Sequence, residues 1–275
     1  MTVGVEREAD ILPKTRAVPE SAKPQYKAAK HYDAAPQLFP EIKGDTLSSV
    51  QSRTFCRFVE LYEGNEPVVD LGCGTGRVGR HLSAVLRPTL LVSMDLSWRG
   101  VELAKHLGAA ARSAMYVQGD LLNLPFTNIR YCACHGVVHH TPDPDRAISQ
   151  LASALAPGAV LYLALYAKSW YSSLYRFGGA LRRWRQRGVS APAQCAFALF
   201  FLPRYLLRII ETRSLRHDFN IRASFEDCIM TPYAHFFSDR ELRARFQQLA
   251  LEVIAHERMN YGALHCYVLR KHASA

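Results

Sequence analysis

The stretch VVDLGCGTGRVGRHL, Val68 to Leu82, decides how the chain is read. A short apolar run meets a cluster of glycines and then a helical pattern, so the backbone turns sharply from a first strand into a first helix. The glycines parse as Gly72-x-Gly74-x-Gly76 or as Gly74-x-Gly76-x-x-Gly79, the second being the dinucleotide-binding spacing. Both forms let a ligand approach a helix N-terminus with no Cβ in the way. Asp95, closing the second strand-like segment, suits ribose hydroxyls in either case.

Outward from this loop, strands and helices alternate: TLLVSMD then SWRGVELAKHL, AMYVQGD, IRYCACHG then DRAISQLASAL, and AVLYLALY. Such alternation predicts an α/β fold built of parallel βαβ units, with a sheet covered on both faces. Asp143 before Pro144 starts one helix and Pro157-Gly158 ends it. A leading helix is expected over TLSSVQSRTFCRFVELY, where Val50, Phe55, Phe58, Val59 and Leu61 fall roughly on one face. After Tyr166 the alternation stops, to resume at SDRELRARFQQL with a Ser238/Glu241 capping box. Two strands, LEVIAHE and LHCYVLRK, close the chain. The division expected is an N-terminal arm over residues 1–45, a core formed by 46–166 and 231–275, and a basic, aromatic helical insert over 167–230.

Hydrophobic residues make up 49% of the 275 residues and charged ones 21%, the usage of an ordinary globular protein. The net charge of +10 raises the question of an anionic partner. Between Ser169 and Met230 ten arginines face four acidic residues, so six of the ten excess charges lie in that segment. The seven cysteines are odd in number and scattered, and with no secretory leader a reducing cytosol is expected. No Cys-x-x-Cys pair occurs, and Cys132 and Cys134 are read as pointing to opposite faces of a strand, so no metal site is expected. CAFALFFL, Cys195 to Leu202, stops well short of the ~18 apolar residues of a membrane span, and the protein is not expected to cross a bilayer.

Three features decide between the glycine parsings. Asp70 lies two residues before Gly72, where a carboxylate would repel a pyrophosphate and attract a cationic group. Asp120 follows the third strand in QGDLLNLPF, placed to accept a hydrogen bond from an adenine amino group. GVVHHTPDPDRAI follows the fourth strand. In this order and spacing, together with ALAPGAVLYLALY, the motifs resemble those of the class I S-adenosylmethionine-dependent methyltransferases, in the group typified by ubiquinone and menaquinone biosynthesis enzymes. The resemblance covers about residues 67–166 and, more weakly, 231–271.

It implies a Rossmann-like seven-stranded sheet with an antiparallel last strand, in a three-layer sandwich with the insert after strand 5. It also implies S-adenosyl-L-methionine as cofactor, with S-adenosyl-L-homocysteine as product. Asp70 and the Gly72, Cys73, Gly74 and Gly76 loop would hold its methionine part, Asp95 and Leu96 its ribose, Asp120 and Leu121 its adenine. His135 and Gly136 would border the methionine and sulfonium. Ala159 departs from the family's usual second glycine, at a position that shapes only a turn.

Methyl transfer from a sulfonium is an in-line displacement, so alignment and exclusion of water come first and proton removal second. His139, His140 and His235 are the candidates for proton transfer, with loop shape or site lining as their plainer reading. Tyr26, His31 and Tyr32 lie in an arm that relatives often fold over the cofactor. The insert, sited above the carboxyl edge of the sheet, would cap the acceptor site. Its Trp170, Tyr171, Tyr175, Phe177 and Trp184, with Arg204 and Arg208 one helical turn apart, suit a small or lipid-like acceptor and a peripheral membrane surface. RNA such as tRNA is the alternative acceptor, and a non-catalytic cofactor-binding protein is the third reading.

Overall fold

The computed structural model describes residues 23–33, 52–108, 113–201, 225–260 and 262–273. Arg204, Arg208, Val50 and most of the 1–45 arm fall outside them. Seven strands form one sheet in the order β3-β2-β1-β4-β5-β7-β6. β1 (Val68–Leu71) is buried along its whole length and pairs in parallel with β2 (Leu91–Asp95) and β4 (Ile129–His135). β3 (Ala114–Gln118) extends the sheet beyond β2, and β5 (Leu155–Tyr166) lies beside β4, both in parallel. β7 (Leu264–Lys271) runs antiparallel between β5 and β6 (Leu251–Met259). The predicted Rossmann-like sheet with its antiparallel final strand is therefore present. Strand order reverses between β1 and β4, which opens a crevice at their carboxyl ends.

Helices cover both faces because the strands alternate their buried side chains between two layers. One apolar cluster joins Val69, Leu71, Met94, Leu163 and Leu151 to Phe246. The other joins Val68, Leu91, Tyr162, Phe55, Phe58 and Leu82. The helices in chain order are α1 (Lys23–Asp33), α2 (Arg53–Glu60), α3 (Arg77–Leu86), α4 (Trp98–Leu107) and α5 (Pro144–Ala154). The insert adds α6 (Trp170–Phe177), α7 (Gly179–Gln186) and α8 (Ala191–Ala196), the last continuing as a wider turn over Phe197–Phe201. α9 (Asp239–Gln248) precedes β6. The local start signals act as read: Asp143 accepts from Arg146 N–H with Pro144 in the first turn, and Ser238 and Glu241 form the reciprocal capping box.

One reading needs correction. Cys132 and Cys134 stand two residues apart on β4, and a strand's period of two sends both side chains to the same face. Both thiols are buried in the same apolar cluster, where burial holds them protonated far above the ordinary thiol range. No helix among the described residues is long and apolar enough to cross a membrane.

The insert is anchored to the core rather than hung from it. Tyr171, Leu181, Ala193, Phe225 and Ile229 bury in the same cluster as Phe55 and Phe58. Arg182 donates to Ile229 C=O at 2.5 Å and lies over the Tyr175 ring, and Arg185 pairs with Glu226.

Candidate functional site

The residues expected to hold a cofactor all lie at the carboxyl ends of adjacent strands. Asp70 is the penultimate residue of β1 and Gly72 to Gly76 follow the strand, Asp95 ends β2 with Leu96 next, Asp120 and Leu121 follow β3, and His135 ends β4 with Gly136 next. Residues as far apart in the chain as Asp70 and Gly136 are thereby brought to one crevice.

Asp70 is 1% exposed, and its Oδ2 accepts the Gly79 N–H of α3 at 2.8 Å. A Cβ on Gly79 would lie 2.9 Å from that oxygen, so Gly79 serves the close approach of α3 to β1. Both glycine parsings thus describe real features, one for the loop and one for helix packing. Burial pushes the Asp70 carboxyl up to about 7, opposed by the Gly79 hydrogen bond and reinforced by the charge of Asp95. A buried carboxyl in this state gains from any cation placed beside it.

The loop glycines have different tasks. Gly72 has φ +74°, and a Cβ there would meet Val137 Cγ2 at 2.1 Å. Gly74 has φ +52° and Gly136 φ +78°, and a Cβ on either would meet nothing within 4 Å. Open space beside backbone in a left-handed conformation is a cradle that side chains would fill, which fits a ligand lying against the loop. Cys73 is buried, and burial, then the charges of Asp70 and Asp95, push its thiol far up, so it is no nucleophile.

Asp95 accepts Gly74 N–H at 2.7 Å and Ser97 N–H at 2.8 Å, one on each oxygen. Each oxygen keeps a second lone pair for a hydroxyl donor. Burial raises its pKa, partly offset by these two bonds. Asp120 accepts Leu122 N–H and Asn123 Nδ2, each at 2.9 Å, and so caps the short turn Leu121–Asn123. The capping and the ligand readings of both carboxylates are compatible for the same lone-pair reason. Leu121 buries in the core beneath this turn, and Leu96 C=O accepts from Gln118 Nε2.

The candidate acceptor side is built from rings. His139 and His140 form a turn after β4, with ring centroids 4.2 Å apart, and His139 stacks on Tyr166 at 3.6 Å. His235 N–H donates to His139 C=O at 2.9 Å, so the third candidate histidine joins the other two. The two neighbouring histidines differ in tautomer. Tyr166 N–H donates to His139 Nδ1 at 3.1 Å, which places the His139 proton on Nε2. His140 Nδ1 lies 2.9 Å from Tyr233 C=O, an acceptor only, which places the His140 proton on Nδ1 and the lone pair on Nε2. Burial, followed by the neighbouring histidines, holds His139 well below the ordinary range and also lowers His235. His135 stacks on Tyr162 and is lowered to about 4 by burial and the nearby Arg77.

Contacts that no sequence spacing signals complete the edge. Asp33, at the end of α1, accepts from Ser97 Oγ at 2.6 Å, and Ser97 is the N-cap of α4 beside Asp95. Tyr32 OH meets Thr231 Oγ1 at 3.3 Å, and its ring packs edge-on to His140. The C-terminal end of α1 therefore touches both the Asp95 corner and the histidine corner, where the sequence had singled out only Tyr26, His31 and Tyr32.

Comparison with known proteins agrees with this fold. Residues 68–158 match a family model described as a methyltransferase domain. The malonyl-[acyl-carrier protein] O-methyltransferase of Pectobacterium atrosepticum is 31% identical over 147 residues, covering 51% of this chain and 56% of that protein. The probable tRNA methyltransferase 9B of Homo sapiens is 31% identical over 129 residues, covering 44% of this chain and 26% of that protein. The chain thus spans only part of the length of the curated relatives it matches. Magnesium protoporphyrin IX methyltransferase from Synechocystis PCC 6803, solved with bound SAH, superposes with a TM-score of 0.57 at 13% identity over 92% of this chain and 100% of that one. Sheet order, glycine loop, strand-end carboxylates and the matched domain point the same way: residues 68–158 are similar to a methyltransferase domain, set in the sheet that the S-adenosylmethionine-dependent methyltransferases share.

Proposed function

We propose that the chain transfers a methyl group from S-adenosylmethionine to a small or lipid-like acceptor, with residues 167–230 capping the acceptor site. The cofactor, when bound, supplies an electrophilic methyl on a sulfonium. Asp95 would hold the ribose hydroxyls, Asp120 the adenine amino group, and Asp70 with the Gly72–Gly76 loop the methionine end. Bound there, it would offer its methyl carbon to the acceptor atom, and the part of this chain would be to take the acceptor proton on His140 Nε2. His139 Nε2–H donates to the acceptor and orients it.

The observation that carries the small-acceptor reading is the aromatic wall shared by core and insert. Tyr166 packs against Tyr171 at 5.0 Å and Phe236 at 5.6 Å, and Tyr175 reaches Phe236 at 5.7 Å. These rings continue from the stacked His139, so the insert meets the core at the histidine turn. Such a wall excludes water and suits an apolar acceptor.

The charge of +10 and the tRNA methyltransferase among the relatives favour RNA as the second reading. Salt separates the two. Binding through phosphates weakens by roughly 10³ to 10⁵ between 50 and 200 mM salt when six to ten contacts form. With an apolar acceptor, kcat/KM is expected to change less than about threefold over that range; a steep logarithmic fall would move the assignment to RNA.

The two histidine roles predict opposite mutational behaviour. His139→Gln keeps a donor and is expected to retain most of kcat/KM, whereas His139→Phe loses about ten- to hundredfold. A pH limb in wild-type kcat/KM that disappears in His139→Gln would make His139, not His140, the base.

Asp70 predicts a proton linkage. A cationic ammonium beside it binds the carboxylate form, and the protonated fraction grows as pH falls below about 7. Affinity for S-adenosylhomocysteine should therefore weaken toward tenfold per pH unit on the acid side, with proton release on binding. Calorimetry at pH 6 in two buffers of different ionisation enthalpy reads that release, and identical heats would place the ammonium elsewhere.

A further inference from the structure

The segment from α6 through the turn after α8 carries apolar side chains both toward the core and toward solvent. Inward, Tyr171, Leu181 and Ala193 belong to the core. Outward, Trp170 (52% exposed), Phe177 (69%), Trp184 (43%), Val189 (48%) and Leu199 (69%) face solvent. These are five of the eight large hydrophobic residues exposed among the described residues, and they fall within residues 170–199. Trp170 and Phe177 lie seven positions apart, two turns of α6, and so share one face. From Arg183 to Ala191 every residue is exposed.

The charge of the same segment has one sign. Residues 170–199 contain Arg176, Arg182, Arg183, Arg185 and Arg187 and no Asp, Glu or Lys. Arg182 and Arg185 are turned to Ile229 C=O and Glu226, while Arg176, Arg183 and Arg187 are exposed. Soluble proteins scatter large exposed apolar side chains singly, and a concentration of them marks a contact surface. Indole rings among arginines match the headgroup layer of a bilayer, where the ring sits at the interface and the guanidinium meets lipid phosphate. An RNA surface would use the rings for stacking but gives Val189 and Leu199 no partner, whereas acyl chains accept both.

We infer that α6 to α8 form a docking face for an anionic lipid bilayer. Phe177, Val189 and Leu199 enter the acyl boundary, Trp170 and Trp184 lie at headgroup depth, and Arg176, Arg183 and Arg187 supply the preference for anionic lipid. Docking does not depend on which acceptor the chain methylates, and its test reads no activity.

The full chain is sedimented with phosphatidylcholine vesicles, with and without about one third phosphatidylglycerol, and with a mixed-sequence RNA of similar charge. Binding is expected with the anionic vesicles and much less with the neutral ones, together with quenching of tryptophan fluorescence by brominated lipid. The pair Phe177→Ser with Trp184→Ser should lose about tenfold or more in partitioning. The pair Arg183→Gln with Arg187→Gln should lose most of the anionic preference. All four positions are exposed, and thermal melting verifies that both variants stay folded. Absence of wild-type binding to anionic vesicles, or binding that neither pair diminishes, overturns the inference. RNA binding lost in both pairs, with no vesicle binding, assigns the face to nucleic acid and overturns it equally.

Discussion

Asp95→Ala is expected to weaken S-adenosylhomocysteine binding by at least about a hundredfold, because two charge-assisted hydroxyl bonds of about 1.5 kcal/mol or more each are lost. The same carboxylate also organises the protein. It takes Gly74 N–H on one oxygen and Ser97 N–H on the other, and Ser97 Oγ in turn accepts Gly100 N–H and donates to Asp33. Removing it leaves two backbone donors without their partner, at a cost on the order of 1–3 kcal/mol for each that stays dry. Both effects are read on one protein: calorimetry for binding, and a urea midpoint for stability. A variant that is destabilised yet binds with wild-type affinity would show that Asp95 only builds the loop.

The glycine loop predicts a second large effect, and a contrast. Gly72→Ala is expected to cost roughly 3–5 kcal/mol in urea denaturation, since the new Cβ collides with the half-buried Val137 and the residue is held at positive φ. Adding Val137→Ala should recover part of this and leave the left-handed cost of about 1–2 kcal/mol. Gly74→Ala pays only that smaller conformational cost, because nothing lies within 4 Å of its Cβ. Its methyl group occupies the open cradle instead, so cofactor affinity should fall by about tenfold or more while the fold persists. Wild-type affinity in Gly74→Ala would mean that no ligand lies against that part of the loop.

The local elements were legible because their causes are local. Asp143-Pro144, Ser97, and Ser238 with Glu241 start helices through hydrogen bonds spanning two or three residues. Strand alternation carried the sheet, and misapplying its period to Cys132 and Cys134 produced the one wrong facing, with both thiols in one cluster. The strand-end carboxylates were found in sequence because each stands within two residues of the end of its strand. Their second employment, as caps and loop anchors, became visible only in three dimensions.

By itself, then, the order of Asp70, Gly72, Gly74, Gly76, Asp95, Asp120 and the His139-His140 turn determined the fold class and the candidate cofactor site, since each is tied to the end of a strand whose place in the sheet follows from connectivity. Tertiary structure alone decided which groups face one another across the edge. Asp33 reaches Ser97 over 64 residues and Tyr32 reaches Thr231 over 199. It also decided the division between His139 and His140. Adjacent and chemically identical in sequence, they differ because one ring meets a backbone donor and the other a backbone acceptor, and a tautomer is set by the partner, not by the residue.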